Sequence, residues 1–205
     1  MNAQTALRWL LARPPNLEEV EHSLTRIISD VTRAGDVVGR IRDLIKKAPP
    51  QMDSVDMNEA VREVIELTRS AAAKAGISIK LELADGLPPI RGDRVQLQQV
   101  ALNLIVNAVQ AMEAVADGER DLVVATAPAE PIGVIVTVKD SGPGLDKGAI
   151  ERVFESFYTT KPSGLGVGLS ICRSIIEAHG GRLWASTNAP RGAIFQFTVP
   201  AVKGM

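Results

Sequence analysis

Two glycine-punctuated loops hold the residues best suited to chemistry. In the first, Asp140-Ser141-Gly142-Pro143-Gly144, a carboxylate stands at the end of a β-branched run (Val134, Ile135, Val136, Val138) and is followed by residues that turn sharply. An ionised carboxylate only accepts hydrogen bonds. Adenine offers a donor at its exocyclic amine where guanine offers an oxygen, so an acceptor-only group in an apolar slot favours adenine. The second loop, Gly164-Leu165-Gly166-Val167-Gly168, runs into Leu169-Ser170-Ile171-Cys172-Arg173-Ser174-Ile175-Ile176-Glu177-Ala178, whose apolar spacing is helical. Glycines ahead of a helix let backbone N–H groups approach an anion, and the helix N-terminus adds positive potential. Either loop by itself would be read as a turn.

A third stretch, Arg94 to Met112, gives the loops a ligand to share. Its apolar positions 97, 100, 101, 104, 105, 108 and 112 follow a helical period, and Asn103 and Asn107, four apart, fall on one face. Amides in an otherwise apolar helix need a polar target. Their carbonyl oxygens suit a hard cation such as Mg²⁺, which takes one or two ligands from protein and the rest from water and phosphate. Asparagines that face solvent or bond one another remain the alternative for this helix alone. Between the loops, Phe154 and Phe157 read as pins for the base of a lid, Thr159 and Thr160 as hydroxyls and Lys161 as a charge for phosphates, with a solvated lysine as its alternative. The glycines of the 154 to 168 region would let such a lid close over nucleotide and reopen, so it is expected to be mobile without ligand.

This ordered set resembles the ATP-binding catalytic domain of sensor histidine kinases, within the superfamily that includes gyrase, a heat-shock chaperone family and the mismatch-repair ATPases. Residues Asn103 to Ala108 are similar to the family's N box, Asp140 to Gly144 to the G1 box, Phe154 to Lys161 to the F box and Gly164 to Leu169 to the G2 box. Gly180-Gly181 through Gly192-Ala193-Ile194-Phe195 is similar to its closing strands, and the whole match runs from about Val55 to Pro200. The resemblance implies an α+β fold, a two-layer α/β sandwich with a mixed sheet covered by three helices (the GHKL, or Bergerat, ATPase fold), preceded by a helical dimerisation segment. It implies ATP and Mg²⁺ as cofactors and transfer of the γ-phosphoryl group to a histidine, then to the receiver domain of a response regulator. In that reading Asp140 recognises adenine, Asn107 is the first choice as metal ligand and Asn103 the second, with Asn103 alternatively at the γ-phosphate. Gly142, Gly144, Lys161, Gly164, Leu165, Gly166, Gly168 and Leu169 complete the nucleotide site, and Lys161 and Asn103 are the residues nearest the chemistry.

The acceptor departs from the family's pattern. Only His22 and His179 occur, and His22 is followed by Ser23-Leu24-Thr25-Arg26 where the family places an acidic residue directly after the phosphorylated histidine. His179, ahead of Gly180-Gly181, reads as a helix-end residue suited to the dipole. The expectation is a catalytic fragment whose acceptor lies upstream and which therefore does not autophosphorylate appreciably. Two rivals stay open: a nucleotide-dependent interaction module without kinase activity, and an ATPase or anti-sigma-type serine kinase, which would usually place an acid where Asn103 stands.

The elements that must position these residues are also legible. A helix over Ala3 to Arg13 should stop at Pro14-Pro15. A heptad seam follows from Leu17 through Val20, Leu24, Ile27, Val31, Ala34, Val38 and Ile41 to Ile45, implying self-association into a homodimer, with a helix packed only on the nucleotide domain as its alternative. Ala48-Pro49-Pro50-Gln51 marks the domain boundary, with a partial dimerisation hairpin over 1–48 and the catalytic domain over 49–205. A short strand around Ser54 to Asp56 leads into an amphipathic helix from Met57 to Lys74, with Ala60, Val61, Val64, Ile65 and Leu67 inward and Gly76 as its cap. A strand over Ile77 to Leu83 and an edge at Ile90-Arg91 precede Asp93, the cap of the asparagine helix. Two hairpins finish the sheet, Asp121–Thr126 with Ile132–Asp140 and Arg182–Thr187 with Ala193–Val199, and the face away from the helices is expected to be solvated. The 205 residues, 45% of them apolar, suffice for a substantial core, and 23 basic against 24 acidic residues give no electrostatic case for nucleic acid or membrane. No apolar run nears the roughly 18 residues of a membrane span, so a cytoplasmic setting is expected, and Cys172 reads as a core thiol.

Overall fold

The computed structural model describes residues 2–27, 51–113, 115, 118–159 and 166–201. The chain divides into two compact units, Met1–Ala48 and Pro49–Met205.

In the first unit, α1 spans Asn2–Leu10 and ends three residues before the end of the helix expected over Ala3 to Arg13. Its last turn closes with Leu11 N donating to Leu7 O at 3.0 Å. The early end has a steric cause: Pro14 offers no N–H to Leu10 O, and its ring would collide with that carbonyl in a continued helix. A second helix, α2, is described over residues 17–27, and Asn16 caps it by accepting from Glu19 N at 3.2 Å. Leu17 and Leu24 of the heptad seam are exposed. The seam from Val31 to Ile45 lies outside the described residues.

The second unit is built on a five-stranded mixed sheet. Its elements are β1 (Asp53–Val55), α3 (Met57–Lys74), β2 (Ser78–Leu83), β3 (Ile90–Gly92), α4 (Arg94–Glu113), β4 (Asp121–Ala129), β5 (Gly133–Asp140), α5 (Lys147–Arg152), α6 (Gly168–Ala178), β6 (Arg182–Thr187) and β7 (Ala193–Pro200). Strand order is β2-β4-β5-β7-β6, with β2 parallel to β4 and every other pair antiparallel, while β1 and β3 form a separate small ladder. The sequence shows the two hairpins, β4–β5 and β6–β7. It gives no local sign that β2 runs parallel beside β4.

Helices α3, α4 and α6 cover one face of this sheet, as the resemblance implied. Their apolar stripes meet the alternate side chains Leu122, Val124, Val134, Val136, Val138, Phe195, Phe197 and Val199 in one continuous core. On α4 all seven apolar positions of the helical period are buried. The opposite face is half-exposed, with Lys139, Thr137, Gln196 and Trp184 on it, and Trp184 Nε1 donates to Gln196 Oε1 at 3.2 Å.

Local signals set the helix ends. Asp56 caps α3 by accepting from Asn58 N and Glu59 N. At its other end Gly76, at φ 66°, completes a Schellman turn: Gly76 N donates to Ala73 O and Ile77 N to Ala72 O. Asp93 caps α4 through Gln96 N at 3.1 Å, and its second oxygen takes Gln51 N at 3.1 Å. One expectation for α3 fails. Leu67 is 75% exposed, since it sits about 100° round the helix from buried Thr68, beyond the edge of the inward stripe. Two polar residues that the sequence reading passed over are buried in the core as a pair: Asn58 Nδ2 donates to Ala84 O and Thr126 Oγ1 to Asn58 Oδ1. Among the described residues no helix is long and apolar enough to cross a membrane.

Candidate functional site

Asp140 ends the central strand β5, and its side chain is 3% exposed. A polar group so deeply placed must be hydrogen-bonded. Its Oδ1 accepts Gly142 N at 2.8 Å and Ala193 N at 3.2 Å, which together fix the plane of the carboxylate. The first donor comes from the turn of the loop itself and the second from the start of β7. Its backbone carbonyl is held as well, by Asn188 Nδ2 at 2.8 Å.

Glycines are required where these groups converge. A Cβ on Gly142 would lie 2.9 Å from Asp140 Oδ1 and 3.3 Å from Ala111 Cβ. Gly144 has φ 83°, and a Cβ there would meet Gly192 O at 2.9 Å. The turn therefore packs against α4 at Ala111, and Ser141 Oγ bonds Met112 Sδ at 3.6 Å. Asn103, Asn107 and Ala111 are spaced by four on α4, so both asparagines lie on the helix face that touches the Asp140 turn. Each is half-buried.

Helix α4 is fixed from its other end too. Arg94 bonds Glu59 at 3.0 Å and Glu63 at 2.7 Å on α3. Arg94 and then Gln98 hold the Glu63 carboxyl below the usual carboxylate range, although these groups are exposed and the pairs contribute little.

On the far side of α4 packs α6, whose first turn has no side-chain cap and opens at Gly168. Gly166, at φ 66°, accepts Phe157 N at 2.9 Å, and a Cβ on it would lie 2.5 Å from Tyr158 O. Gly166, Gly168 and Leu169 are half-buried. Phe154 does pin the intervening segment, edge-on to Phe195 with ring centroids 6.3 Å apart. Phe157 does not: it is 79% exposed at φ 69°. The bond from its N–H to Gly166 fixes a backbone in which the ring turns outward. Thr160, Lys161, Gly164 and Leu165 lie outside the described residues.

The two histidines differ. His22 is exposed on α2. His179 caps α6 from within the core, 5% exposed, where Nε2 accepts Asp93 N at 2.9 Å and Nδ1 lies 2.7 Å from Ile175 O. Accepting at Nε2 makes Nδ1 the protonated nitrogen, so the ring is a neutral bridge from α6 to the start of α4 and not a cation on the dipole. Cys172 is buried, as read.

Among the described residues no three His, Cys, Asp or Glu side chains gather as a metal site. A cation held here would use amide oxygens and the ligand's own phosphates, a donor set that fits Mg²⁺.

Sequence reasoning missed Asn188 and the contact of Gly192 with Asp140. The one available signal was the glycine after Pro190-Arg191, read as part of the closing strands.

A carboxylate at a central strand end, an amide-bearing helix against its turn and a glycine-led helix start together define a nucleotide-binding α/β sandwich. Residues 92–203 match the family described as histidine kinase-, DNA gyrase B-, and HSP90-like ATPase. The chain belongs to this family of ATP-binding domains, and its catalytic unit is of the sensor histidine kinase type. It is 40% identical over 202 residues to the sensor protein FixL of Bradyrhizobium diazoefficiens, covering 98% of this chain and 40% of that protein. It is 36% identical over 200 residues to the sensor histidine kinase TmoS of Ectopseudomonas mendocina, covering 97% of this chain and 21% of that protein. The crystal structure of histidine kinase ThkA in complex with response regulator protein TrrA superposes with a TM-score of 0.76 at 27% identity, over 98% of this chain and 57% of that one. The chain thus spans about a fifth to two fifths of the length of these curated relatives.

Proposed function

We propose that this chain binds ATP with Mg²⁺ and transfers the γ-phosphoryl group to a histidine of a dimerisation helix, for relay to the receiver domain of a response regulator. The observation that carries the reading is the placement of a buried, two-fold hydrogen-bonded Asp140 on a turn packed against the asparagine face of α4. In this account Asp140 accepts from the exocyclic amine of adenine. Asn107, with Asn103 second, holds the cation, which supplies charge neutralisation at the phosphates when bound. Gly142 and Gly144 let backbone approach the base, while Gly166, Gly168 and Leu169 present N–H groups to phosphate at the start of α6, and Gly164 and Leu165 are assigned to the nucleotide site from the sequence alone. Lys161 adds a positive charge there. Such chemistry is chiefly positioning and electrostatics.

The acceptor imidazole comes from a histidine outside this sequence. Both ring nitrogens of His179 are already engaged, and the residues after His22 depart from the family's pattern. The heptad seam, with Leu17 and Leu24 exposed, supports a homodimer through residues 17–45. The ThkA complex with TrrA supports a response regulator as the downstream partner.

The reading is tested by incubating the chain with γ-labelled ATP, alone and with a separately made, histidine-bearing helical hairpin of a related sensor kinase. Label is expected on the hairpin histidine and absent from the chain alone. Label on serine, or free phosphate alone, would contradict it.

A further inference from the structure

We infer that Asn188, in the turn between β6 and β7, is a positioning residue for purine selectivity: it holds the end of β5 so that Asp140 meets the exocyclic amine in register. The inference rests on the reading of Asp140 as the adenine acceptor.

At its end β5 outruns its ladder with β7. The last paired residues are Lys139 and Ile194, and Asp140 has a ladder partner only on the other side, Leu122 of β4. The carbonyl of Asp140 therefore finds its donor in a side chain, Asn188 Nδ2 at 2.8 Å, in place of a ladder N–H. That side chain is fixed in turn, because Asn188 N donates to Gly192 O at 2.9 Å and closes the turn on itself. Gly192, at φ 111°, sits so near that a Cβ would come within 1.9 Å of Asp140 O. The next residue, Ala193, gives its N–H to Asp140 Oδ1 at 3.2 Å. One turn thus grips both the main chain and the carboxylate of Asp140, and the Asn188 amide, 48 residues away, is the side chain that holds the main chain.

Asn188 also lines an open cleft of 410 Å³ with Glu119, Asp121, Lys139 and Arg191. Water from this cleft can replace the amide at Asp140 O, so its removal should loosen the strand end without unfolding the protein. The loss then falls on the interaction that depends on where Asp140 points.

Calorimetric titration of the full chain with ATP and with purine riboside triphosphate, which lacks the exocyclic amine, reads that interaction directly. The parent protein should prefer ATP by about 10- to 100-fold, the scale of a hydrogen bond to a charged group. In Asn188→Ala the preference should fall to about threefold or less, with affinity for the analogue within about twofold of the parent. Asn188→Asp keeps the shape and removes the donors, so it should behave alike, and thermal unfolding of both variants checks that they fold. An unchanged preference, or equal weakening of both nucleotides, would overturn the positioning role, and so would failure of both variants to fold. Equal binding of the two nucleotides by the parent would overturn the adenine reading itself, and this inference with it.

Discussion

Gly192→Ala tests the packing behind Asp140 with a single methyl group. The Cβ would stand 1.9 Å from Asp140 O and 2.8 Å from its carbonyl carbon, whereas Cβ atoms essentially never approach a neighbour closer than 3.0 Å. Neither atom belongs to a flexible side chain, so the turn or the strand end must retreat by about 1 Å. The bond from Ala193 N to Asp140 Oδ1, already 3.2 Å, would then pass out of range. Alanine must also adopt φ near 111°, at a cost on the order of 1–3 kcal/mol before any clash. Together these give a loss of about 2–4 kcal/mol, or on the order of 10 °C in Tm for a chain of this size, and ATP affinity should fall with it. Gly76→Ala is the control. It also has positive φ, 66°, but nothing lies within 4 Å of its added methyl, so it should cost about 1–2 kcal/mol and leave ATP binding unchanged. Thermal unfolding and titration calorimetry on both variants decide the matter. A Gly192→Ala protein as stable as the Gly76→Ala one, with parental ATP affinity, would refute the reasoning.

Three further outcomes are expected. Asn107→Ala should cut the gain in ATP affinity on adding Mg²⁺ by about tenfold, as measured against EDTA, since one oxygen contact to the cation is lost; an undiminished gain would place the cation elsewhere. Asp56→Ala removes the acceptor for Asn58 N and Glu59 N, and should destabilise the chain by about 1 kcal/mol in urea unfolding without changing nucleotide affinity. Glu63, whose pKa is lowered chiefly by its hydrogen bond to Arg94, adds stability above the ordinary carboxylate pKa that is lost as pH falls through the lower folded value. Glu63→Gln should therefore make the acid limb of a stability profile slightly shallower, and a steeper limb would reverse the assignment.

The helix periods, strand alternation and caps were legible because each depends on neighbours within a few residues. Leu97 to Met112 bury as spaced, Gly76 and Asp93 cap where they stand, and β4 and β5 turn back on one another. Asp140 stood out for the same reason, a carboxylate at the end of an apolar run. What failed depended on distant parts of the chain. The parallel pairing of β2 with β4 has no turn between the strands to announce it. The short helix α5, capped by Asp146, lies between the first loop and Phe154, where the sequence pattern announces no element. Phe157, expected to pin the base of the lid, is instead exposed, with its N–H bonded to Gly166 O. The hold of Asn188 on Asp140 spans 48 residues and uses a side chain of no motif.

The central claim is that Asp140 is the group that recognises the adenine of a magnesium-bound ATP. Titration calorimetry of the folded chain and of Asp140→Ala with ATP and Mg²⁺ tests it most directly. Saturable, magnesium-dependent binding by the parent and its loss in Asp140→Ala are predicted; no such binding by the parent, or equal affinity in the two proteins, would contradict it.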